Sequence, residues 1–427
     1  MKIHIDLDCF FVSAERTLDK NLLHKPVAVG GRSDTNIFAH HAKDQNINFD
    51  NSGSFVSTFY QEYERQADDI KNFIDPDGRI RGILTTASYE ARAYGVKTAM
   101  SINEALQLCP DLIIKSPNMR LYQKLSHELH LFLQERIPLV EQASIDEFYG
   151  DIGGWIQDQD VPEFIDSLRH SIKSTLNLPV SIGAAHSRFI AKLATGEAKP
   201  FGCKTIYPWD FDNFVNPLHV SKFSGIGRSM MAKLQDAQIH TLGELRKRRG
   251  TIESWGPYAK ELYKRVNGEA DTPISLKSQR KSIGISRSFD PVFDRHELRR
   301  RIIILSRHLL FAIQKLQIIP TTFSLTIRYE YNQKSHISTM KRKEFNEMEF
   351  KDFCLTLFRD ADTQRRLHVS YLGINTTDFT HICKRELSLL EMDEKQELQK
   401  LTKEAHKVRE KYGLGILKWG SEIELLS

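Results

Sequence analysis

The sequence predicts an α+β protein (mixed α/β) with several domains, and three observations support this prediction. The chain has 427 residues, which is more than one compact core usually holds, so we expect two to four domains. Strand-like and helix-like segments alternate over the first 205 residues, as in a mixed catalytic core. From residue 217 the segments become mostly helical with short loops, and near residue 283 the pattern changes again.

Elements in the first third of the chain can be assigned in order. Residues 3–12 predict a short buried strand that leads into a helix, and residues 26–31 predict a second strand. Residues 32–54 are polar and indicate a loop. Apolar and aromatic residues between 55 and 70 recur at helical spacing, which predicts an amphipathic helix. Residues 101–135 indicate helices that are interrupted by prolines.

The later elements are assigned in the same way. Residues 143–149 predict a strand or hairpin with its acids near the turn. We expect a helix at 160–177 and a strand at 179–184 that leads into another helix. Beyond residue 283 we expect first a helix and then a half-buried strand at 323–329, where apolar residues alternate with polar ones. The last 45 residues are charged and favour a helix.

Composition excludes several classes of protein. The five cysteines are scattered without a C-x-x-C pair, so neither a zinc site nor a disulfide framework is indicated, and a reducing, cytoplasmic compartment fits. The sequence contains no apolar run of the roughly 18 residues that a membrane span needs, and its start does not resemble a signal peptide. The formal net charge of +5 is by itself weak support for a nucleic-acid partner.

Acidic residues in two apolar strands predict a metal site. Asp6 and Asp8 alternate in the first strand, so we expect them on one face, and Asp146 and Glu147 are adjacent in a second. Clustered carboxylates repel each other in apolar surroundings, and a divalent cation would neutralise them. Oxygen ligands favour Mg²⁺ or Mn²⁺, and two such ions about 4 Å apart are typical of phosphoryl transfer. Acids at the surface or at helix caps are the open alternative.

Six motifs follow one another along the chain. They are Asp6-Leu7-Asp8-Cys9-Phe10-Phe11, Ser88-Tyr89-Glu90-Ala91-Arg92, Ser144-Ile145-Asp146-Glu147, Ala198-Lys199-Pro200-Phe201-Gly202, Gly225-Ile226-Gly227 and Arg280-Lys281-Ser282-Ile283-Gly284. This succession resembles the Y-family DNA polymerases, and most closely their DinB or DNA polymerase IV branch of bacterial type. The resemblance covers nearly the whole chain except residues 32–80.

The resemblance implies a right-hand polymerase fold. Its domains would be a palm at 1–11 and 119–206, fingers at 12–118, a thumb at 207–273, a linker at 274–282, a little finger at 283–382 and a tail at 383–427. The implied activity is low-fidelity, template-directed translesion synthesis, in which a deoxynucleotide is transferred from its triphosphate to the primer 3′-hydroxyl without proofreading. A cyclase on a related palm and a DNA-binding relative without activity are the alternatives.

The resemblance also implies the metal and nucleotide sites. Two Mg²⁺ ions, for which Mn²⁺ can substitute, would be held by the catalytic acids and one carbonyl: Asp6, Asp146, Glu147 and the Leu7 carbonyl. The nucleotide would be held by the side chains of Thr86, Tyr89, Arg92 and Lys199 and the N–H groups of Cys9 and Phe10. Without the resemblance, Tyr89 and Arg92 could be ordinary neighbours on one helix face, and Lys199 could be a solvated loop lysine; both alternatives stay open.

Phe11 matches the steric gate, a ring that leaves no room for a 2′-hydroxyl. A lone phenylalanine is more often a core aromatic, but the Asp-x-Asp-x-Phe-Phe context favours the gate.

Residues 32–80 are longer than the corresponding family segment. We expect this insertion to lie in the fingers, with its aromatic helix packed on the fingers and the reading of DNA as the alternative. We hypothesise that it covers the nascent base pair or docks a partner.

DNA contacts are expected in the second half of the chain. Gly225 and Gly227 resemble a helix-hairpin-helix whose N–H groups approach a phosphate, although a plain helix–helix turn is an open alternative. Lys281 and Arg287 belong to a basic stretch that would lie along the primer–template duplex. The leucines of a tail segment resemble a sliding-clamp-binding peptide, with one turn of an amphipathic helix as the alternative; they are Leu387, Leu389 and Leu390. We expect a monomer.

Overall fold

The computed structural model describes two compact units. The described residues are 1–39, 46–47, 59–60, 63, 69–75, 77–270, 272–275, 280–342, 344–380 and 392–422. The first unit contains residues 1–31 and the described residues from 63 to 275. The second contains the described residues from 280 onwards together with residues 32–39, 46–47 and 59–60. Within the described residues, no helix is both long and apolar enough to cross a membrane.

Strands and helices alternate through the chain. In order they are β1 Lys2–Leu7, α1 Phe10–Leu18, β2 Val27–Gly31, β3 Asn46–Ile47, β4 Phe59–Tyr60, β5 Ile83–Ala87, α2 Tyr89–Ala93, α3 Ile102–Leu108, β6 Ile113–Lys115, α4 Met119–Gln134, β7 Leu139–Gln142, β8 Glu147–Asp151, α5 Val161–Leu176, β9 Val180–Ala185, α6 Arg188–Ala198, β10 Cys203–Thr205, α7 Phe211–Val215, α8 Arg228–Asp236, α9 Leu242–Lys247, α10 Arg249–Glu253, α11 Pro257–Val266, β11 Ser282–Val292, α12 Arg295–Lys315, β12 Ile319–Tyr329, β13 Lys334–Met340, α13 Glu347–Ala361, β14 Val369–Thr380 and α14 Met392–Tyr412.

A five-stranded sheet in the order β10-β9-β1-β8-β7 forms the centre of the first unit. Its middle strand, β1, runs antiparallel to both β8 and β9. Helix α6 packs closely on β9, because a Cβ atom at Gly183 would lie 2.2 Å from the Ala191 carbonyl oxygen. Glycine at this position therefore allows the helix to approach the sheet.

Two smaller assemblies complete the first unit. Strands β5, β2 and β6 form a three-stranded sheet, whose core includes Phe73, Leu84 and Ile102. Helices α8 to α11 contribute to a separate apolar cluster with Leu234 and Leu242 near its centre. The expected helical character of residues 217–270 is confirmed by these helices.

The second unit contains a four-stranded antiparallel sheet in the order β11-β14-β12-β13. Helices α12 and α13 pack against it, and Leu305, Phe323 and Leu372 are fully buried in the core. The expectation that this region begins with a helix is wrong, because β11 precedes α12. Residues 282–292 pair along β14, and a partner so distant in sequence leaves no local signal.

Residues 32–39 lie in the second unit, whereas we expected the whole insertion to lie in the fingers. Ile37 and Phe38 are buried in the core that α12 and β11 build. The Phe38 ring meets the edge of Phe289 at a centroid distance of 5.9 Å. For these residues the expectation is wrong, because the two apolar side chains find their core more than 240 residues further along the chain.

Other elements also differ from expectation. The predicted helix between 55 and 70 is wrong in its middle, where Phe59–Tyr60 is a strand paired with β3, and residues 69–73 form a 3₁₀ helix. Strand β6 was expected to be part of a helix, but it lies between Pro110 and Pro117 and pairs with β2. Three residues are too few for a periodic pattern to distinguish strand from helix.

Candidate active site

Neighbouring strands bring two of the predicted acids together. Strand β1 passes through the core with Ile3 and Ile5 fully buried, and Asp6 follows near its end. Strand β8 begins at Glu147, which lies directly opposite Asp6 in the antiparallel register. Paired residues project from the same face of a sheet, and a ligand atom of Asp6 lies within 4.8 Å of one of Glu147.

The third acid, Asp146, lies in the hairpin turn that precedes β8. The Leu7 N–H donates to the Asp146 carbonyl at 3.0 Å, which fixes the turn against the end of β1. The Ser144 hydroxyl donates to the Asp146 carboxylate, and the hydroxyl oxygen accepts the Glu147 N–H at 3.0 Å. The prediction of a hairpin with its acids near the turn is thus confirmed.

Two lysines of one helix contact these carboxylates. Lys199, at the C-terminal end of α6, donates to Asp6 Oδ1. Lys192 lies two turns earlier and donates to both oxygens of Glu147 at 2.7 and 2.6 Å. Each of the two opposed carboxylates therefore has its own ammonium partner.

Burial and charge act in opposite directions on these acids. Burial raises the pKa of Asp6 to about 7, although Lys199 opposes the shift. Burial also opposes ionisation of Glu147, but its contacts with His4 and Lys192 outweigh burial and lower its pKa to about 2. At neutral pH Glu147 is a carboxylate, and Asp6 is close to its titration point.

His4 lies beneath this pair on the same strand as Asp6. Its Nε2 lies 3.9 Å from Glu147 Oε2 and has no hydrogen-bond partner among the described residues. Its Nδ1 is 3.0 Å from the Thr195 hydroxyl of α6. Burial lowers the pKa of His4 to about 4, although the nearby Glu147 carboxylate opposes this shift.

Asp8 does not join the acid cluster in the expected way. Strand β1 ends at Leu7, so the alternation that predicted a shared face with Asp6 no longer applies. The Asp8 carboxylate instead accepts the Ser181 hydroxyl at 3.0 Å and the Phe201 N–H at 2.7 Å. Burial raises the pKa of Asp8.

The residues predicted to hold the nucleotide lie on four elements, which are α1, β5, α2 and the C-terminal end of α6. Tyr89 donates to Asp8 Oδ1 at 3.3 Å, and the Arg92 guanidinium lies 5.1 Å from the Tyr89 ring centre. Arg92 Nε also donates to the Ala87 carbonyl. Thr86 is buried in β5. Cys9 adopts a left-handed conformation at the N-cap of α1, the helix that Phe10 begins.

Phe11 lies on α1 and stacks on the ring of Tyr122. The two centroids are 4.3 Å apart and the planes differ by 11°. Tyr122 is fully buried and donates to Glu15 at 2.7 Å, so one face of the half-buried Phe11 ring rests on a fixed platform.

The predicted DNA contacts have different environments. Gly225 has a φ of 103° and Gly227 caps α8, so the glycine segment does form a turn before a helix. Lys281 is exposed beside β11. Arg287 is only 8% exposed, and it donates to the Asp34 and Ser286 carbonyls. The predicted clamp-binding leucines lie outside the described residues.

The chemistry of the cluster fits a hard divalent cation. Two carboxylates with ligand atoms within 4.8 Å repel each other when both are ionised, and in this structure lysine ammonium groups supply the compensating charge. Asp146 adds a third carboxylate in the adjoining turn. Such a set of oxygen ligands is typical of sites for hard divalent cations.

Sequence reasoning overlooked two residues of this cluster, Lys192 and His4. Both had a signal that could have found them. Lys192 is two helical turns from Lys199, so both lie on one face of α6, and His4 alternates with Asp6 along β1.

Family models match most of the chain. Residues 5–196 match the impB/mucB/samB family, and residues 280–389 match its C-terminal domain. A relative from Ectopseudomonas mendocina, a DNA polymerase IV, is 31% identical over 67% of this chain and 70% of its own length. A DNA polymerase IV from Bacillus anthracis is 28% identical over 99% of this chain and 93% of its own.

Solved structures share the fold. A Y-family DNA polymerase chimera superposes with a TM-score of 0.70 at 21% identity, covering 88% of this chain and 98% of its own. An insertion ternary complex of the Dbh DNA polymerase superposes with a TM-score of 0.55 at 21% identity and the same coverage. The right-hand fold expected from the sequence is thereby confirmed.

Proposed function

This chain belongs to the impB/mucB/samB family of Y-family DNA polymerases, and on that premise we propose that Asp6, Asp146 and Glu147 are its catalytic acids. The protein is a DNA-directed DNA polymerase of the translesion class. The observation that supports the site assignment is the register of the central sheet, which sets Asp6 opposite Glu147 with Asp146 fixed in the adjoining turn.

The family implies dependence on a divalent metal. In our proposal the metal is Mg²⁺, with Mn²⁺ able to substitute, held as two ions by the three acids and the Leu7 carbonyl. When bound, such ions lower the pKa of the primer 3′-hydroxyl and stabilise the leaving pyrophosphate. Burial of Asp6 supports this reading, because a buried carboxylate gains most from a bound cation.

The incoming nucleotide is held beside the acids by groups from α1, α2 and α6. Arg92 can fork onto phosphate oxygens, and Lys199 supplies a point charge at the site's edge. N–H groups at Cys9 and Phe10 open helix α1, where the helix dipole favours an anion. Tyr89 is held by Asp8, which orients α2 toward the same place, and Thr86 lies in the preceding strand.

We assign sugar selection to Phe11. Its ring stacks on Tyr122, so it has no space to move away when a 2′-hydroxyl approaches. A ribonucleotide would therefore meet an apolar ring that offers neither space nor a hydrogen-bond partner.

Primer–template DNA is the macromolecular partner. We propose phosphate contacts at Gly225 and Gly227, whose segment precedes the N-terminus of α8, and at exposed Lys281. We exclude Arg287 from these phosphate contacts, because its guanidinium donates to the Asp34 carbonyl within its own unit.

We also propose that the protein is a cytoplasmic monomer that binds a sliding clamp through Leu387, Leu389 and Leu390. The thiols of Cys9, Cys109, Cys203 and Cys354 are free, which suits a reducing compartment.

Primer extension tests the assignment. Purified protein with a primed template and Mg²⁺ should add single deoxynucleotides as the template directs, and should discriminate against ribonucleotides. Asp146→Ala should abolish addition, whereas Asp352→Ala, an exposed acid of α13, should not. Templated addition that survives in Asp146→Ala would contradict the site assignment. Folded protein that binds DNA without addition would favour an inactive relative, and a cyclic nucleotide product would favour a cyclase.

A further inference from the structure

The second lysine of α6 has no role in the function described so far. Lys192 donates to both carboxylate oxygens of Glu147, whereas Lys199, which contacts Asp6, is already expected to meet the triphosphate. A cation bound between Asp6 and Glu147 would therefore share the Glu147 oxygens with the Lys192 ammonium, and the two positive charges would repel each other.

Lys192 supplies the positive charge next to Glu147. The other polar neighbour, His4, is buried, and its Nε2 lies 3.9 Å from Glu147 Oε2, which is too far for a hydrogen bond. Lys192 itself is 30% exposed, which leaves its ammonium a path toward solvent when another cation arrives.

Helix α6 does not need Lys192 in order to dock. Its position is set by close packing on Gly183, and by the Thr195 hydroxyl beside His4. At its first turn, Arg188 forms a two-pronged ion pair with Glu141 at 3.1 and 2.8 Å. A substitution at Lys192 should therefore leave the helix in place.

We propose that Lys192 is a positioning residue that neutralises Glu147 until the catalytic cation binds, and that competes with this cation for the carboxylate oxygens. The inference rests on the proposed function, because it assumes that Glu147 is a metal ligand. Lys192 thereby controls how tightly the nucleotide-free enzyme binds a divalent cation.

Mn²⁺ binding to the DNA-free and nucleotide-free protein tests this directly. Free Mn²⁺ would be followed by electron paramagnetic resonance at pH 8 in wild type, Lys192→Met and Lys192→Arg. Since removing a unit charge a few ångströms from a dication removes a repulsion, we expect Lys192→Met to bind Mn²⁺ about three- to tenfold more tightly. Lys192→Arg, which keeps the charge, should stay close to wild type.

The matched control is Lys222→Met. Lys222 donates to Glu197 of α6 at 2.8 Å. Lys222→Met therefore changes the net charge by the same amount as Lys192→Met and also removes an ion pair of α6. Glu197, however, lies outside the acid cluster. Its Mn²⁺ affinity should equal that of wild type. Addition of Mn²⁺ should also raise the melting temperature of Lys192→Met more than that of wild type, because a ligand that binds more tightly stabilises the folded protein more at the same concentration.

Unchanged or weaker Mn²⁺ binding by folded Lys192→Met would overturn the inference. An increase of the same size in Lys222→Met would do so as well, since it would show a general effect of net charge. Failure of the proposed function is separate: wild type would then neither bind Mn²⁺ nor add a nucleotide, whereas failure of this inference alone leaves wild-type addition and its dependence on Asp146 intact.

Discussion

At the scale of single residues, acids in apolar strands predict a metal site only weakly from the sequence, but the central sheet brings these acids together in a defined cluster. Asp6 could be assigned from its position in an apolar strand, because alternation and burial are local properties. The environment of Asp8 could not be predicted, since it depends on where β1 ends and on contacts with Ser181 and Phe201. Lys192 was overlooked because it lies on helix α6, and its partner Glu147 lies 45 residues earlier in the chain, in β8.

The raised pKa of Asp6 predicts a pH-dependent stability of the metal-free protein. The folded protein keeps the Asp6 proton up to about pH 7, whereas the unfolded chain releases it near the ordinary value of 3.8. The free energy of unfolding therefore falls as pH rises from about 4 to 7. Asp6→Asn, which cannot ionise, should be more stable than wild type by about 1–3 kcal/mol at pH 8 and by much less at pH 5.

Urea unfolding in the presence of a chelator at both pH values measures this difference. Asp352→Asn, at an exposed site, is the control and should show no such trend. Glu147 cannot produce the effect, because its pKa is lowered to about 2, so the stability that it contributes is complete above its ordinary pKa near 4.5 and is lost only as pH falls toward 2. A gain for Asp6→Asn that is equal at pH 5 and pH 8 would contradict the predicted titration.

Phe11 predicts a second residue-scale outcome. Replacing it by Ala removes the ring that rests on Tyr122, so the space beneath the sugar opens. Ribonucleotide addition relative to deoxynucleotide addition should rise by about 10- to 200-fold, which is the range for removing a steric contact of this kind. Single-nucleotide kcat/KM values for both sugars provide the measurement. Phe10→Leu, at the neighbouring buried ring, is the control, and an unchanged ratio in Phe11→Ala would rule out the gate.

At the scale of elements, structure that depends on a local pattern could be predicted from the sequence, whereas structure that depends on long-range pairing could not. The hairpin of β7 and β8 was predictable, because its proline, glycine and adjacent acids lie within a few residues. Strand β11 was not, since its partner β14 lies about 90 residues away. The same reason explains residues 32–39, whose apolar pair Ile37 and Phe38 is buried by a core built from the C-terminal half.

This segment should stabilise the second unit. Phe38 is 4% exposed, and the Arg301 guanidinium lies 4.8 Å from its ring centre and 4.4 Å from that of Phe289. The Phe38 carbonyl accepts from Arg300 at 3.0 Å. Phe38→Ala should therefore destabilise the unit by about 3–5 kcal/mol, as for other buried phenylalanines.

Hydrogen exchange read by mass spectrometry can assign the loss to its element. Peptides from β11 and α12 should exchange faster in Phe38→Ala, and peptides from β1 and β8 should keep their protection. Phe293→Ala removes a ring of the same unit that is 54% exposed and should change exchange little. Unchanged exchange in β11 and α12 would show that residues 32–39 contribute nothing to this core.

At the scale of the whole molecule, the sequence identified the family because its motifs are local and ordered, whereas the division into units was only partly predictable. The linker and the start of the little finger were expected to hold DNA through basic residues, and the net charge of +5 is small. Which basic residues are available depends on folding. Lys281 is exposed, but Arg287, six residues later, is buried and bonded to the Asp34 carbonyl.

The two residues should therefore respond differently when DNA affinity is measured against salt. If Lys281 contacts one phosphate, Lys281→Ala should lower the slope of log affinity against log salt on duplex DNA by about 0.9, because one counterion fewer is released. Arg287→Gln should leave that slope unchanged and lower the free energy of unfolding instead, since it removes donors from buried carbonyls.

Fluorescence anisotropy with a labelled primer–template, over a series of NaCl concentrations, gives the slopes. Lys407→Ala, at an exposed lysine paired with Glu404, is the control. A slope that falls in Arg287→Gln and not in Lys281→Ala would mean that the buried arginine turns outward on DNA, and the assignment of the duplex contact would move to it.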